Sequence, residues 1–254
     1  MNITRKQFLG LAGASMLVAV SGKQVLAELE GERKGGEPRP RKQYAMIVDT
    51  RKCSTLPDCT KCIEACNSSH NVPVIPNPEH EIKWIWKERV ANVFEAQQIP
   101  YLETTLKERA TMVLCNHCDD PPCVRVCPTG ATWKREEDGI VMMDWHRCIG
   151  CRYCMAACPY GSRSFNWIDP RTELKVLNPA FPTRTKGVVE KCIFCYDRLA
   201  LGQGPACVEV CPVKALIFGD LNDPGSEVRK MLGSGLTLRR RPSLGTGPNI
   251  YYIL

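Results

Sequence analysis

The sequence predicts an α+β chain assembled from two copies of one small module. Three observations carry that expectation. Sixteen cysteines fall into four groups of four: Cys53/Cys59/Cys62/Cys66, Cys115/Cys118/Cys123/Cys127, Cys148/Cys151/Cys154/Cys158 and Cys192/Cys195/Cys207/Cys211. Every group ends in Cys-x3-Cys, and the last three are followed by Pro128, Pro159 and Pro212. Short strand-like segments precede groups one, three and four and follow groups two, three and four.

Group three is the most compact, Cys148-x2-Cys151-x2-Cys154-x3-Cys158-Pro159. This is the bacterial ferredoxin spacing, in which three cysteines hold one [4Fe–4S] cluster and the fourth ligates the other cluster of a pair. A cubane needs a thiolate at each of four iron corners. Three cysteines three residues apart let one tight loop wrap three corners and aim backbone N–H groups at the sulfurs. The fourth is carried onward to a second cluster. Proline after it has a fixed φ and no N–H, and turns the chain away. Sixteen thiolates supply four such clusters with none left over.

Two other cysteine chemistries fit less well. A disulfide framework suits small secreted domains without a core, and cysteines three apart rarely bridge within one turn. Four zinc sites would favour paired Cys-x2–4-Cys knuckles separated by a longer loop, and Cys-Pro has no zinc rationale. No Cys-x-x-Cys is followed by His, so a c-type haem site is absent from the sequence.

The elements follow in order. Ile47-Val48-Asp49-Thr50-Arg51-Lys52-Cys53 echoes Met142-Met143-Asp144-Trp145-His146-Arg147-Cys148, and Val188-Val189-Glu190-Lys191-Cys192 is a shorter version. Each is an apolar strand, an acid, then a basic residue before the first ligand. After the Cys-Pro ends come strand-like segments at 129–133, 160–165 and 213–218. Asp138-Gly139, flanked by 131–133 and 140–143, reads as a hairpin. Groups two and three therefore form one bacterial-type 2[4Fe–4S] ferredoxin-like module at 110–185. Groups one and four pair by elimination into a second, from 44–66 and 186–220.

With the fourth-cysteine exchange, the expected ligand sets are Cys53, Cys59, Cys62 and Cys211 for the first cluster, and Cys115, Cys118, Cys123 and Cys158 for the second. Cys148, Cys151, Cys154 and Cys127 hold the third, and Cys192, Cys195, Cys207 and Cys66 the fourth. Two gaps depart from the compact run. Residues 54–58 are inserted in group one, and eleven residues, Tyr196 to Ala206, separate Cys195 from Cys207. In the latter, 196–201 reads as a helical turn closed by Gly202 and Gly204.

Residues 1–27 read as an export signal. Arg5 and Lys6 form the charged start, 9–20 is apolar, and Val25-Leu26-Ala27 precedes a cleavage point at Glu28. Twelve helical residues span about 18 Å against about 30 Å of hydrocarbon, too short to cross. Thr4-Arg5-Lys6-Gln7-Phe8-Leu9 resembles a twin-arginine signal with lysine at the second arginine, which suits a protein loaded with cofactor before export. The chain carries +7 at pH 7; the signal holds Arg5, Lys6 and Lys23 and no acid, so its removal leaves +4. Four oxidised cubanes add roughly −8. The basic excess then offsets the cofactors rather than marking a nucleic-acid surface. The run Arg239-Arg240-Arg241 reads as a solvated or partner-facing segment.

A charged Pro/Gly linker occupies 28–43, and an insertion 67–109 carries Trp84 and Trp86, whose alternation suggests a strand packed on one face over a cluster. The extension 221–254 reads as an irregular arm ending in a strand. With 38 glycines and prolines the chain predicts cofactors and loops in place of a large aliphatic core. His70, His80, His117 and His146 are scattered, and no base, nucleophile and orienting partner are grouped for catalysis.

Together these features resemble the four-cluster, ferredoxin-like iron–sulfur subunits of membrane redox complexes, the dimethyl-sulfoxide and polysulfide reductase iron–sulfur subunit family. The segments 115–128, Phe181-Pro182-Thr183-Arg184 and Leu244-Gly245-Thr246-Gly247-Pro248 look most like the DsrO-type subunits of DsrMKJOP complexes of dissimilatory sulfur metabolism. The family's cluster pairing, one with four and two with three, agrees with that above. The resemblance implies a non-catalytic electron-transfer subunit at the periplasmic face of the membrane. It implies as partners a quinone-linked NrfD-like membrane subunit, a multihaem cytochrome c, a cytochrome b and a cytoplasmic iron–sulfur subunit. A molybdopterin oxidoreductase is the competing assembly, and a zinc-stabilised scaffold the competing class.

Overall fold

The computed structural model describes residues 41–95 and 101–254. The expected signal at 1–27, and linker residues 28–40, lie outside the described residues.

Among the described residues nine short strands form four small sheets, an α+β arrangement: β1 (Tyr44–Asp49), β2 (Ile85–Arg89), β3 (Ala110–Leu114), β4 (Thr132–Lys134), β5 (Val141–Met143), β6 (Ser164–Phe165), β7 (Val189–Glu190), β8 (Leu216–Asp220) and β9 (Ile250–Ile253). The largest sheet has the order β8-β1-β9. β1 leads into group one and β8 follows group four, and the two pair antiparallel with Met46 opposite Phe218. That register brings the first and last cysteine groups together. β9 adds in parallel on the other side, with Val48 opposite Tyr252. β1 is central and buried on both faces, which accounts for its unbroken apolar run.

Around groups two and three, β4 and β5 form the expected hairpin, Thr132 opposite Met143. The strands after Cys-Pro begin three or four residues later than the sequence suggests, at Thr132, Ser164 and Leu216, because a turn comes first. β6 pairs with β7 and joins the end of group three to the start of group four.

Three expectations need correction. A sizeable apolar core exists: Val72, Ile75, Ile82, Trp84, Ile85, Val90, Val93 and Phe94 of the insertion pack against Met46, Val48, Met112 and Leu114. Composition hid it because the apolar residues concentrate in one segment and in β3, which pairs with β2. The arm after residue 221 is not wholly irregular. Glu227–Ser234 is a helix whose Val228, Met231 and Leu232 pack on Ala45, Ile47 and Ile217. Arg240, expected in a solvated or partner-facing run, is buried, and Arg239 and Arg241 beside it are half-buried.

Candidate metal centres

The Cys-Pro ends fold alike. Gly130, Gly161 and Lys214, each three residues after the last cysteine of its group, have φ of 63°, 64° and 47°. Each donates its N–H back to that cysteine's carbonyl, from Gly130 to Cys127, Gly161 to Cys158 and Lys214 to Cys211. The reversal turns the next N–H groups toward sulfur. Ala215 N–H lies 3.2 Å from Cys211 Sγ, Ser162 and Tyr160 N–H groups bond the Cys158 sulfur, and those of Thr129, Ala131 and Thr132 bond the Cys127 sulfur. Burial pushes the Cys127 thiol up, but these N–H groups and the Thr129 hydroxyl more than offset it and hold it below its ordinary value.

The Cys-x-x-Cys loops repeat a second device. The residue before the second cysteine is left-handed in groups two, three and four: His117 at 42°, Gly150 at 70° and Phe194 at 53°. Backbone of mixed hand turns successive N–H groups into a concavity that binds anions, as at many iron–sulfur sites. Phe194 N–H lies 3.5 Å from Cys192 Sγ. Glycine is required at 150, where a Cβ would sit 2.3 Å from the Gly187 carbonyl oxygen.

Group one uses neither device. Cys53 ends a short helix, Thr50–Cys53, whose first turn is capped by the Asp49 carboxylate. Cys62 and Cys66 lie on the helix Lys61–His70, closed by left-handed Asn71. Here the residue four after the last cysteine supplies a side chain: His70 Nδ1 lies 3.0 Å from the Cys66 carbonyl oxygen and 4.0 Å from its Sγ. Burial lowers the His70 affinity for a proton, yet Asp197 and Cys195 outweigh it and raise the pKa to about 9.

None of the sixteen cysteines is joined in a disulfide. Cys53, Cys59, Cys62 and Cys211 line one cavity with Leu56 and Met112. Cys66, Cys192, Cys195 and Cys207 line another with His70 and Trp84, so Trp84 does pack over a cysteine set. Cys115, Cys123 and Cys158 surround Cys118, whose thiol is pushed up to about 12, first by burial and then by Cys115. Cys127, Cys148 and Cys154 pack into one apolar cluster with Val141 and Met143, and Cys151 is half-buried in the same loop.

The sets adjoin in a line. Cys62 lies within electrostatic reach of Cys66 and Cys207, Cys192 of Cys115, and Cys154 of Cys123. The set containing Cys66 is buried throughout. At each end of the line three of four cysteines are only half-buried: Cys53, Cys59 and Cys211 at one, Cys127, Cys148 and Cys151 at the other.

These residues fit [4Fe–4S] clusters. N–H groups converge on sulfur, as anionic thiolate-bound clusters require. Buried basic groups face the cysteines: Arg163 interacts with Cys123, Cys154 and Cys115, and Lys191 with Cys115 and Cys192. Burial pushes the Lys191 ammonium down, and Cys115 is the first of the groups that oppose it. A buried cation needs a partner, and thiolates with their clusters supply one.

His117 and His146 sit beside cysteines in the sequence. His117 is packed, stacked on Phe194 with centroids 3.8 Å apart and accepting the Val141 N–H at Nδ1. His146 uses its backbone N–H to close a turn on Asp144. The histidine that approaches sulfur is His70. Its position four after Cys66, in a helical pattern, was the available signal. The basic residues Arg163, Lys191 and Arg240 were also missed. Lys191 precedes Cys192 as Lys52 precedes Cys53, but Lys52 is exposed and Lys191 fully buried.

Two matches to family models described as "4Fe-4S dicluster domain" cover residues 109–174 and 147–221. The chain is 40% identical to the Hdr-like menaquinol oxidoreductase iron-sulfur subunit 1 of Archaeoglobus fulgidus, over 98% of this chain and 97% of that one. It is 37% identical to the menaquinone reductase iron-sulfur cluster-binding subunit of Nitratidesulfovibrio vulgaris, over 83% and 88%. It is 36% identical to a tetrathionate reductase subunit of Salmonella typhimurium, over 100% and 89%. The chain belongs to this family of ferredoxin-like 4Fe-4S iron–sulfur subunits, the electron-transfer rather than catalytic subunits of their oxidoreductases.

Proposed function

We propose that this chain is a four-site electron relay at the extracytoplasmic face of the membrane, in a respiratory complex of dissimilatory sulfur metabolism. The four ligand sets are those expected from the cysteine spacing. The observation that carries the reading is the line of adjoining cysteine sets, buried in the middle except for half-buried Cys158, and mostly half-buried at both ends. When bound, each cluster accepts and returns one electron. The protein's part is to hold the sites in sequence, exclude water from the middle ones and present the ends to partners. Exposed Ile149, Tyr153 and Trp167 surround the end built on Cys148, an apolar patch suited to docking a partner redox subunit.

The menaquinol and menaquinone relatives support a quinone-linked, NrfD-like membrane partner. The DsrO-like segments support, beyond it, a multihaem cytochrome c, a cytochrome b and a cytoplasmic iron–sulfur subunit. The full-length likeness to a tetrathionate reductase component favours a molybdopterin oxidoreductase as the second reading. Purification of the complex from membranes tests both. The expected result is about sixteen iron atoms per chain, an NrfD-like subunit and cytochromes, on the outer face by protease accessibility. A molybdopterin subunit in place of the cytochromes would select the second reading, and zinc without iron would overturn both.

A further inference from the structure

Among the described residues four lysine or arginine side chains are buried: Arg163, Arg184, Lys191 and Arg240. Arg184 has a carboxylate, Glu190, at 2.7 Å. The other three have no carboxylate within ion-pair distance among the described residues. They come from separate parts of the sequence, and the Cys115/Cys118/Cys123/Cys158 set is the one that all three reach, although Arg163 also faces Cys154 and Lys191 also faces Cys192.

Arg163 follows group three. It donates to Thr132 Oγ1 at 2.8 Å and to Met143 Sδ at 3.7 Å, and Met143 packs with Cys123 and Cys154. Lys191, just before group four, donates to the carbonyls of Val141 and Cys192, and faces Cys115 and Cys123. Arg240, on the arm, lies 5.3 Å over the Tyr160 ring and within electrostatic reach of Cys158. Its Nε and Nη1 have no hydrogen-bond partner. Tyr160 is joined to Thr246 at 2.5 Å, and Thr246 bonds the Cys118 sulfur. Three buried cations thus face Cys115, Cys123 and Cys158. At the opposite extreme, Cys62 faces the Met112 thioether at 3.8 Å, and the cation near Cys53 is half-exposed Lys87.

We infer that Arg163, Lys191 and Arg240 make the Cys115/Cys118/Cys123/Cys158 site the most readily reduced of the four, an electron store inside the relay. The inference rests on the ligand sets proposed above. Reduction adds one negative charge at the site, and a fixed cation favours the reduced form. Buried charges are little screened by salt, whereas water and salt weaken the influence of Lys87. The three basic residues act through the cluster's electrostatics and touch no substrate.

The test is an EPR-monitored redox titration of the holoprotein, with Cys118→Ser marking which signal belongs to this set. The marked signal should have the highest midpoint in the wild type. Arg163→Gln and Arg240→Gln should each lower it by at least tenfold in the reduction equilibrium, about 59 mV for a one-electron couple, and Arg163→Lys should largely restore it. Arg240→Gln alters the arm and Arg163→Gln the module, so a folding defect in one leaves the other informative. Four clusters with the marked signal not highest, or unmoved in both variants, would overturn the inference alone. Fewer than four clusters in the wild type would overturn the ligand reading, and the inference with it.

Discussion

The half of the molecule around groups one and four and the half around groups two and three hold their cysteines by different means. The first has a three-stranded sheet with β1 at its centre, and apolar packing on both faces. The second has a hairpin of three-residue strands, and a buried cluster of six residues of which two are cysteines. Apolar burial contributes roughly 25 cal/mol per Å², so the first half rests on the larger apolar skeleton, to which β3, Ile140, Met142 and Phe181 also contribute. The second depends more on what its cysteines bind.

Iron removal should therefore produce the largest effect and the most unequal one. Structural metal binding is folding free energy, of order 10 kcal/mol per site. After chelation, hydrogen exchange should show loss of protection at 115–127 and 148–158 while β1 and β8 keep theirs. Equal loss in both halves would erase the distinction.

The two halves also differ at the last cysteine of each group. Three groups leave by a Cys-Pro turn, and group one leaves along a helix. Asn67→Pro would import the Cys-Pro sequence into the helix Lys61–His70. It should cost about 3 kcal/mol, read as a lowered urea midpoint with loss of iron. An unchanged midpoint would mean that group one tolerates the turn of the others.

The acids before the first ligands diverge in the same way. Asp49 and Asp144 each close their own loop by accepting backbone N–H groups. Glu190, the third of the series, is buried against Arg184, Trp84 and Asn166. Glu190→Gln strands a buried guanidinium and should cost about 3 kcal/mol. Asp144→Asn, on a half-exposed turn, should cost under about 1 kcal/mol by the same denaturation assay.

The one stabilising change sharpens the turn comparison. Lys214 is exposed and holds the left-handed position that Gly130 and Gly161 hold in their turns. Lys214→Gly should raise stability by about 1 kcal/mol, by removing the left-handed penalty on a side chain. A decrease would show that the lysine makes an interaction outweighing its backbone strain.

The cysteine count and spacing made the cofactor class legible, and the repeated acid-basic-Cys pattern made the strands before groups one, three and four legible. The hairpin at 138–139 was legible because Asp-Gly between apolar segments has a local cause. What stayed hidden depends on distant partners. The burial of Lys191 and Arg163 follows from β5 and the hairpin lying across them, and no local pattern separates Lys191 from exposed Lys52. The core of the insertion stayed hidden because β2 finds its partner in β3. His70 was one of four scattered histidines until the helix from Lys61 aligned it with Cys66.

The central position of β1 also sets an order of events in time. Thr50, at its end, bonds the carbonyl of Ile253, 203 positions later, and β9 covers the side of β1 that β8 leaves open. Contacts so distant in sequence are slow to form. During synthesis β1 emerges early and waits with an unpaired edge until residues 250–253 arrive. Groups one to four are all made before that edge is closed. A chain truncated before Ile250 would carry every cysteine and still leave its central strand open to other chains.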